Sequence, residues 1–185
     1  MSSHHIVREK QEPALFVQSL EGFDEEWLGQ LLEWSPFVVA GRSAYEPLHM
    51  LGVKIDAVTA DHAVQENVRL IKTQEDELFS VLKFLRDEGY PAVNIIAEAI
   101  DAKLILRFAE NMNVVCFSGS RKYYPVKSGF SKWLPAGEAM HCFSADETLK
   151  TTGLKMTGEN SFETEADGLI NLHFAADYLL IAENL

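Results

Sequence analysis

Apolar residues recur along this chain in two rhythms, and the change between them divides it. In the first stretch, short apolar runs alternate with helical stripes. Ala14-Leu15-Phe16-Val17 reads as a first strand. Trp27, Leu28, Leu31 and Leu32 then line one face of a helix, with Asp24 placed to cap its start and Pro36 to close it. Residues 37–40 form a continuous apolar run, as a strand buried on both faces of a parallel sheet requires. Residues 45–51 predict a short helix ended by Gly52, residues 55–58 a third strand, and residues 68–71 a short fourth one. Leu78, Val81, Leu82 and Leu85 fall on one helical face. Thr73 with Asp76 resembles a capping box that opens this helix, and Gly89 stops it. Residues 93–97 predict a strand, Asp101 opens a helix bearing Leu104, Ile105 and Phe108, and residues 114–117 complete the alternation. Strands alternating with helices predict an α/β unit with helices on both faces of a parallel sheet.

After Gly119 the helical stripes stop. Residues 122–126 and 130–134, joined by Lys127-Ser128-Gly129, read as a hairpin. Residues 139–143, 169–174 and 178–181 add short strands, the last two joined around Ala176-Asp177. This half reads as a small sandwich or roll. The expected architecture is therefore a Rossmann-like, parallel-sheet amino-terminal domain over residues 1–119, followed by an all-β sandwich domain over residues 120–185.

Composition narrows the function classes. A chain of 185 residues, 47% hydrophobic and 24% charged, buries a core without staples. Its net charge of −12 repels phosphate backbones, which argues against general nucleic-acid binding. A nucleotide or pyrophosphate ligand would need a divalent cation or a local cluster of Lys and Arg. No apolar run approaches the length of about 20 residues that spans a bilayer, and residues 1–10 hold no signal-peptide core. Cys116 and Cys142 sit in apolar surroundings, without metal-knuckle spacing. They suit buried thiols in a reducing compartment, so a cytoplasmic protein with no membrane contact is expected.

Candidate chemistry falls on the loops after the predicted strands, where open α/β sheets place their ligands. Arg42, in Gly41-Arg42-Ser43-Ala44, reads either as a grip on a phosphate or carboxylate or as a solvated arginine. Asp61, in Thr59-Ala60-Asp61-His62-Ala63, reads as a metal ligand or as a turn cap. His62 beside it has the chemistry of a general base or a metal ligand, although a lone loop histidine is more often neither. Asp76 and Glu77 either face the same site or serve as first-turn acids favoured by the helix dipole. Trp133 and Tyr123-Tyr124 suit either ring stacking or hairpin packing. His49, His141 and His173 are not spaced as a metal set, and Thr151 and Thr152 read as turn residues that satisfy backbone groups.

Thr151-Thr152-Gly153-Leu154-Lys155 resembles the Thr-Thr-Gly-Leu-Lys segment in the carboxyl-terminal half of thiamine pyrophosphokinases. Leu51-Gly52-Val53-Lys54-Ile55-Asp56, the helix end at residues 82–90, and Leu134-Pro135-Ala136-Gly137-Glu138 are similar to segments that come earlier in that family, in the same order. The resemblance implies an α/β domain with a β-sandwich domain, a homodimer with sites between subunits, and pyrophosphoryl transfer from ATP to the hydroxyl of thiamine. Such transfer needs carboxylates that hold Mg²⁺ against the phosphates. By resemblance, Asp61 and Glu77 take catalytic positions, and Asp61 and Asp76 take metal positions. Arg42, Ser43, Thr151, Thr152 and Ser161 take ligand-binding positions.

The motifs also depart from the family's. Gly41-Arg42-Ser43 stands where the resemblance places Asp-Gly-Gly, Ala63 where it places a second aspartate after Asp61, and Glu77 where it places an aspartate. No Gly-Gly-Arg-x-Asp-His motif is recognisable in residues 97–101. Site carboxylates act as a unit, so these losses together predict the loss of most transition-state stabilisation. Two readings follow: a catalytically degraded relative that binds a thiamine-like or nucleotide ligand at a dimer cleft, or an active enzyme using Mg²⁺ and ATP through a rearranged acidic set.

Overall fold

A computed structural model of the chain describes residues 10, 12–59, 67–73, 76–143 and 148–185. Asp61 and His62 lie outside the described residues. The chain forms two compact units, one reaching to Glu98 and including Asn111–Asn113, the other made of Ala99–Glu110 and Val114–Leu185. The architecture is mixed α/β, with a parallel sheet in the first unit and antiparallel strands in the second. No helix among the described residues is long and apolar enough to cross a membrane.

The first unit runs β1 (Ala14–Val17), α1 (Glu25–Leu32), β2 (Val38–Ala40), α2 (Tyr45–Met50), β3 (Ala57–Val58), β4 (Arg69–Leu70), α3 (Glu77–Asp87) and β5 (Ala92–Ile96). Its strands lie in the order β5-β1-β2-β3-β4, each pair parallel. The residues of β1 and β2 are all buried, as their unbroken apolar runs require. The α3 stripe Leu78, Val81, Leu82 and Leu85 is buried. Asp24 caps α1, its Oδ1 accepting from the N–H groups of Glu26 at 2.7 Å and Trp27 at 3.3 Å.

The start of α3 differs from expectation. Thr73 does not open it. Asp76 is the N-cap, with extended backbone and a carboxylate that accepts the Phe79 N–H at 2.6 Å. A charged acceptor at the positive end of the helix dipole fixes the start there, so Thr73 stays outside.

The second unit holds α4 (Ala102–Phe108), β6 (Asn113–Ser118), β7 (Arg121–Val126), β8 (Phe130–Leu134), β9 (Ala139–Cys142), β10 (Lys150–Thr152), β11 (Leu154–Gly158), β12 (Ser161–Thr164), β13 (Gly168–His173) and β14 (Leu179–Asn184). Asp101 caps α4 through the Leu104 N–H, as its position implies. Strands β6-β7-β14-β9-β12-β11 are neighbours in one antiparallel set, and β10-β13-β8 form a three-stranded sheet. Both sets feed one core, in which Met140, Ile170, Leu172, Leu179 and Ile181 are fully buried.

The expected hairpin of residues 122–134 does not form. Strand β7 pairs with β6 and β14, whereas β8 pairs with β13 in the other sheet. Gly129, at a φ of 87°, lets the chain turn from one sheet to the other, and its N–H bonds to the Leu172 carbonyl of β13. The true hairpin is β6–β7, in which Ser118 pairs with Arg121 across Gly119-Ser120. Thr151 and Thr152 are likewise strand residues, paired with Leu172 and Asn171. The turn is Gly153 alone, with a φ of 76°. A Cβ there would lie 2.9 Å from the Leu169 carbonyl oxygen, so glycine is required by both conformation and space.

Candidate functional site

In the first unit the chain leaves β1 for β2, β3 and β4 on one side and returns to β5 on the other, so the strand order reverses at β1. Crevices beyond the carboxyl ends of strands at such a point are where α/β folds bind ligands. Between β1 and β5 the backbone bridges the strand ends itself, because the Gln18 and Ser19 N–H groups both reach the Ile96 carbonyl. The polar side chains gather instead beyond β2 and β3.

Gly41 begins that arrangement. Its N–H donates to the Val17 carbonyl at 2.7 Å. A Cβ on it would lie 2.9 Å from Gln18 Cα, so only glycine lets the end of β2 approach the end of β1 this closely. The loop that follows is held from two sides. Ser43 Oγ donates to the Gln18 carbonyl at 2.7 Å, and the Arg42 N–H donates to Glu77 Oε1 at 2.9 Å. The Thr59 hydroxyl, at the end of β3 and only 4% exposed, donates to the same Glu77 oxygen. Glu77 stands in the first turn of α3, half-buried, where the helix dipole favours an acid. One carboxylate thus ties together the exits of β2 and β3. Its Oε1 is committed to two donors, which leaves Oε2 as the atom able to meet a cation or a substrate proton.

The structure therefore brings together Glu77, the backbone of Arg42 and, beside them, Ser43. It does not bring Asp76 into the same role, since that carboxylate caps α3. The Arg42 side chain is exposed at the rim. The described residues contain no group of three or more His, Cys, Asp or Glu able to hold a metal ion, so by themselves they do not make a Mg²⁺ site.

The candidates of the second unit are divided between its two sheets, Thr151 and Thr152 on β10 and Ser161 on β12. Thr151 is half-buried and Thr152 exposed on β10. Ser161, on β12, meets His141 Nδ1 at 3.0 Å. Burial, reinforced by the cation of Arg121, holds the His141 imidazole below its ordinary value of 6.5, so it is neutral at pH 7. Lys155 pairs with Glu163 at 2.8 Å.

Sequence reasoning missed the main polar cluster of this unit. Glu183 is 7% exposed. It accepts from Lys132 Nζ through both oxygens, at 2.8 and 2.7 Å, and from the Tyr124 hydroxyl at 2.7 Å, and it pairs with Lys122 at 3.2 Å. Burial pushes its carboxyl up, but the hydrogen bonds from Lys132 and Tyr124 and the two ammonium charges outweigh that and hold it below 4.5. Burial and Glu183 together raise the Tyr124 phenol far above its usual range. The signal was present in the strand period: Glu183 shares a parity with the core residues Leu179 and Ile181, and Lys132 with Phe130 and Leu134. Cys116 and Cys142 are free thiols, pushed up by burial to about 12 and about 11.

No family model matches the sequence, and no curated protein matches it. Solved structures do match. The thiamin pyrophosphokinase of Geobacillus thermodenitrificans superposes with a TM-score of 0.69 at 11% identity, over 93% of this chain and 97% of that one. The thiamine pyrophosphokinase of Bacillus subtilis gives 0.67 at 12% identity, over 93% and 98%. The enzyme of Candida albicans gives 0.65 at 8% identity, over 95% and 90%. The fold is that of the thiamine pyrophosphokinases. Identities this low establish the fold and nothing about the reaction. Within the thiamine pyrophosphokinase fold, this chain's Glu77 carboxylate is bound to its own loops, and Gly153 makes the tight crossing between β10 and β11.

Proposed function

We propose that the chain is a thiamine pyrophosphokinase-like protein that binds a small thiamine-like or nucleotide ligand, in a cleft between two copies of itself, without turning it over. In this reading the α/β half is the catalytic-like domain and the β-rich half the thiamine-binding-like domain. The observation that carries it is the commitment of the carboxylates at the start of α3. Asp76 is spent on a helix N-cap, and Oε1 of Glu77 on the Arg42 N–H and the Thr59 hydroxyl. Pyrophosphoryl transfer depends on several carboxylates acting together on Mg²⁺, and withdrawing several of such a set removes most of the transition-state stabilisation.

A second reading is favoured by the convergence of Glu77, Arg42 and Thr59 at the ends of β2 and β3. Joined by Asp61, they would form a rearranged site for an active transferase using ATP and Mg²⁺. One assay separates the two. Purified protein is incubated with thiamine, ATP and Mg²⁺, and thiamine diphosphate and AMP are quantified. The first reading expects neither product, together with a calorimetric binding isotherm for thiamine or for ATP. Turnover that disappears in Glu77→Gln establishes the second. Absence of both turnover and binding refutes each.

A further inference from the structure

Strand β4 ends the order of the parallel sheet. The Arg69 and Ile71 N–H groups donate to the Asp56 and Val58 carbonyls, at 3.0 and 2.8 Å, on the β3 side. Alternate residues of a parallel strand turn their amides to opposite neighbours, so the N–H and C=O of Leu70 point away from β3. Leu70 is 45% exposed. Exposed edges of this kind are templates for a further strand unless something blunts them.

Beside this edge, between β4 and α3, runs a groove of 540 Å³. Leu70, Phe79 and Phe84 give it an apolar wall, and Lys72 and Lys83 stand on it as exposed cations. The acids of the same groove are already matched. Asp87 pairs with Arg86 at 2.8 Å, and Glu88 with Arg69 at 3.2 Å and Lys10 at 3.7 Å. No ion pair among the described residues engages Lys72 or Lys83. On a chain of net charge −12, Lys72 and Lys83 are thus cations without an ion pair among the described residues, beside a strand edge that no described strand covers.

We propose that the β4 edge and its groove receive an extended acidic peptide segment of a partner protein, which adds a strand along Leu70, sets an apolar side chain against Phe79 and Phe84, and brings carboxylates to Lys72 and Lys83. Strand addition gives affinity through main-chain hydrogen bonds and selectivity through alternate side chains. A second copy of the chain fits less well: a two-fold pairing of this edge would set the lysines of one copy against those of the other.

The test uses fluorescein-labelled peptides of about six residues, the usual length of a strand. One alternates Glu with Val and the other Lys with Val. Fluorescence anisotropy is expected to report binding of the Glu peptide to the full chain and none of the Lys peptide. Lys72→Glu with Lys83→Glu weakens binding about tenfold or more, and added salt weakens it as well. Leu70→Pro, which removes the outward N–H at an edge position that tolerates proline, also weakens it. Hydrogen exchange at the Leu70 amide is expected to slow when the Glu peptide is present, and this reading stands even if Leu70→Pro fails to fold. The proposal is overturned if neither peptide binds, if both bind equally, or if the lysine variant binds unchanged. It is also overturned if Leu70 gains no protection, or if sedimentation shows the edge closed by a second copy in a dimer that Leu70→Pro dissolves.

Discussion

Compare where the two units keep their carboxylates. In the first unit they sit at the ends of elements. Asp24 and Asp76 receive the N–H groups of helix starts, and Glu77 receives an N–H and a hydroxyl from the loops after β2 and β3. These groups stay near water and hold loops through one or two hydrogen bonds each. In the second unit Glu183 is buried on β14, tied to Lys132 on β8 and to Tyr124 and Lys122 on β7. Because β8 and β14 belong to different sheets, this one carboxylate clamps both together. An acid at the end of an element holds local donors and stays partly open to water. A buried acid with two ammonium partners cannot be withdrawn without leaving charge unmatched.

The largest effect should come from breaking the clamp. Glu183→Ala strands Lys132 and Lys122 beside an empty acceptor site and is expected to cost about 3 kcal/mol, read as a lowered urea midpoint. The same group carries a pH signature. Its folded pKa lies below the unfolded value of 4.5, so its stabilisation is present above that pH and is lost as pH falls through the folded value. The stability difference between the wild type and Glu183→Gln should therefore shrink on acidification below pH 4.5. A difference that grows there would contradict the clamp.

Next in size is Glu77→Ala, which leaves the buried Thr59 hydroxyl without its acceptor and should cost about 2 kcal/mol. Glu77→Gln keeps an oxygen for both donors and should recover most of that loss in the same urea titration. If Glu77→Ala proves costlier than Glu183→Ala, the contrast between loop-holding and clamped carboxylates fails. Asp76→Ala removes a cap worth about 1 kcal/mol, whereas Asp76→Asn should be nearly neutral. A further loss of Mg²⁺-dependent ligand affinity in Asp76→Asn would show that the cap also serves the site. The smallest change is expected at His141. Arg121→Gln should raise its NMR titration midpoint toward 6.5 without reaching it, because burial, the larger cause, remains.

Much of the first unit was legible because its periodicities are local. The stripe of α3, the run 14–17 and the cap Asp24 are each decided within a few residues. The start of α3 is not decided locally, because Thr73 and Asp76 both fit a cap rule and only the backbone at Asp76 chooses between them. In the second unit the text is ambiguous by nature. Residues 122–134 have the pattern of a hairpin, yet a turn such as Lys127-Ser128-Gly129 serves equally to change sheets. Strands β10, β11 and β12 escape a hydrophobic-pattern reading because Lys150–Thr152, Leu154–Gly158 and Ser161–Thr164 carry few apolar residues, and most residues of β10 and β11 are exposed. At the site, Glu77 and Arg42 are candidates from their positions and from the resemblance, but the hydrogen bond between them spans 35 residues and no local pattern records it.

The sequence by itself determined the alternation of strands and helices in the first unit and the helix caps Asp24 and Asp101, because each follows from the chemistry of neighbouring residues. Only the tertiary structure decided which sheet β8 joins, that Glu77 closes the loops of β2 and β3, and that Glu183 is an interior clamp rather than a surface acid. Those outcomes depend on which distant segments pack together, and packing free energy is a property of the assembled chain.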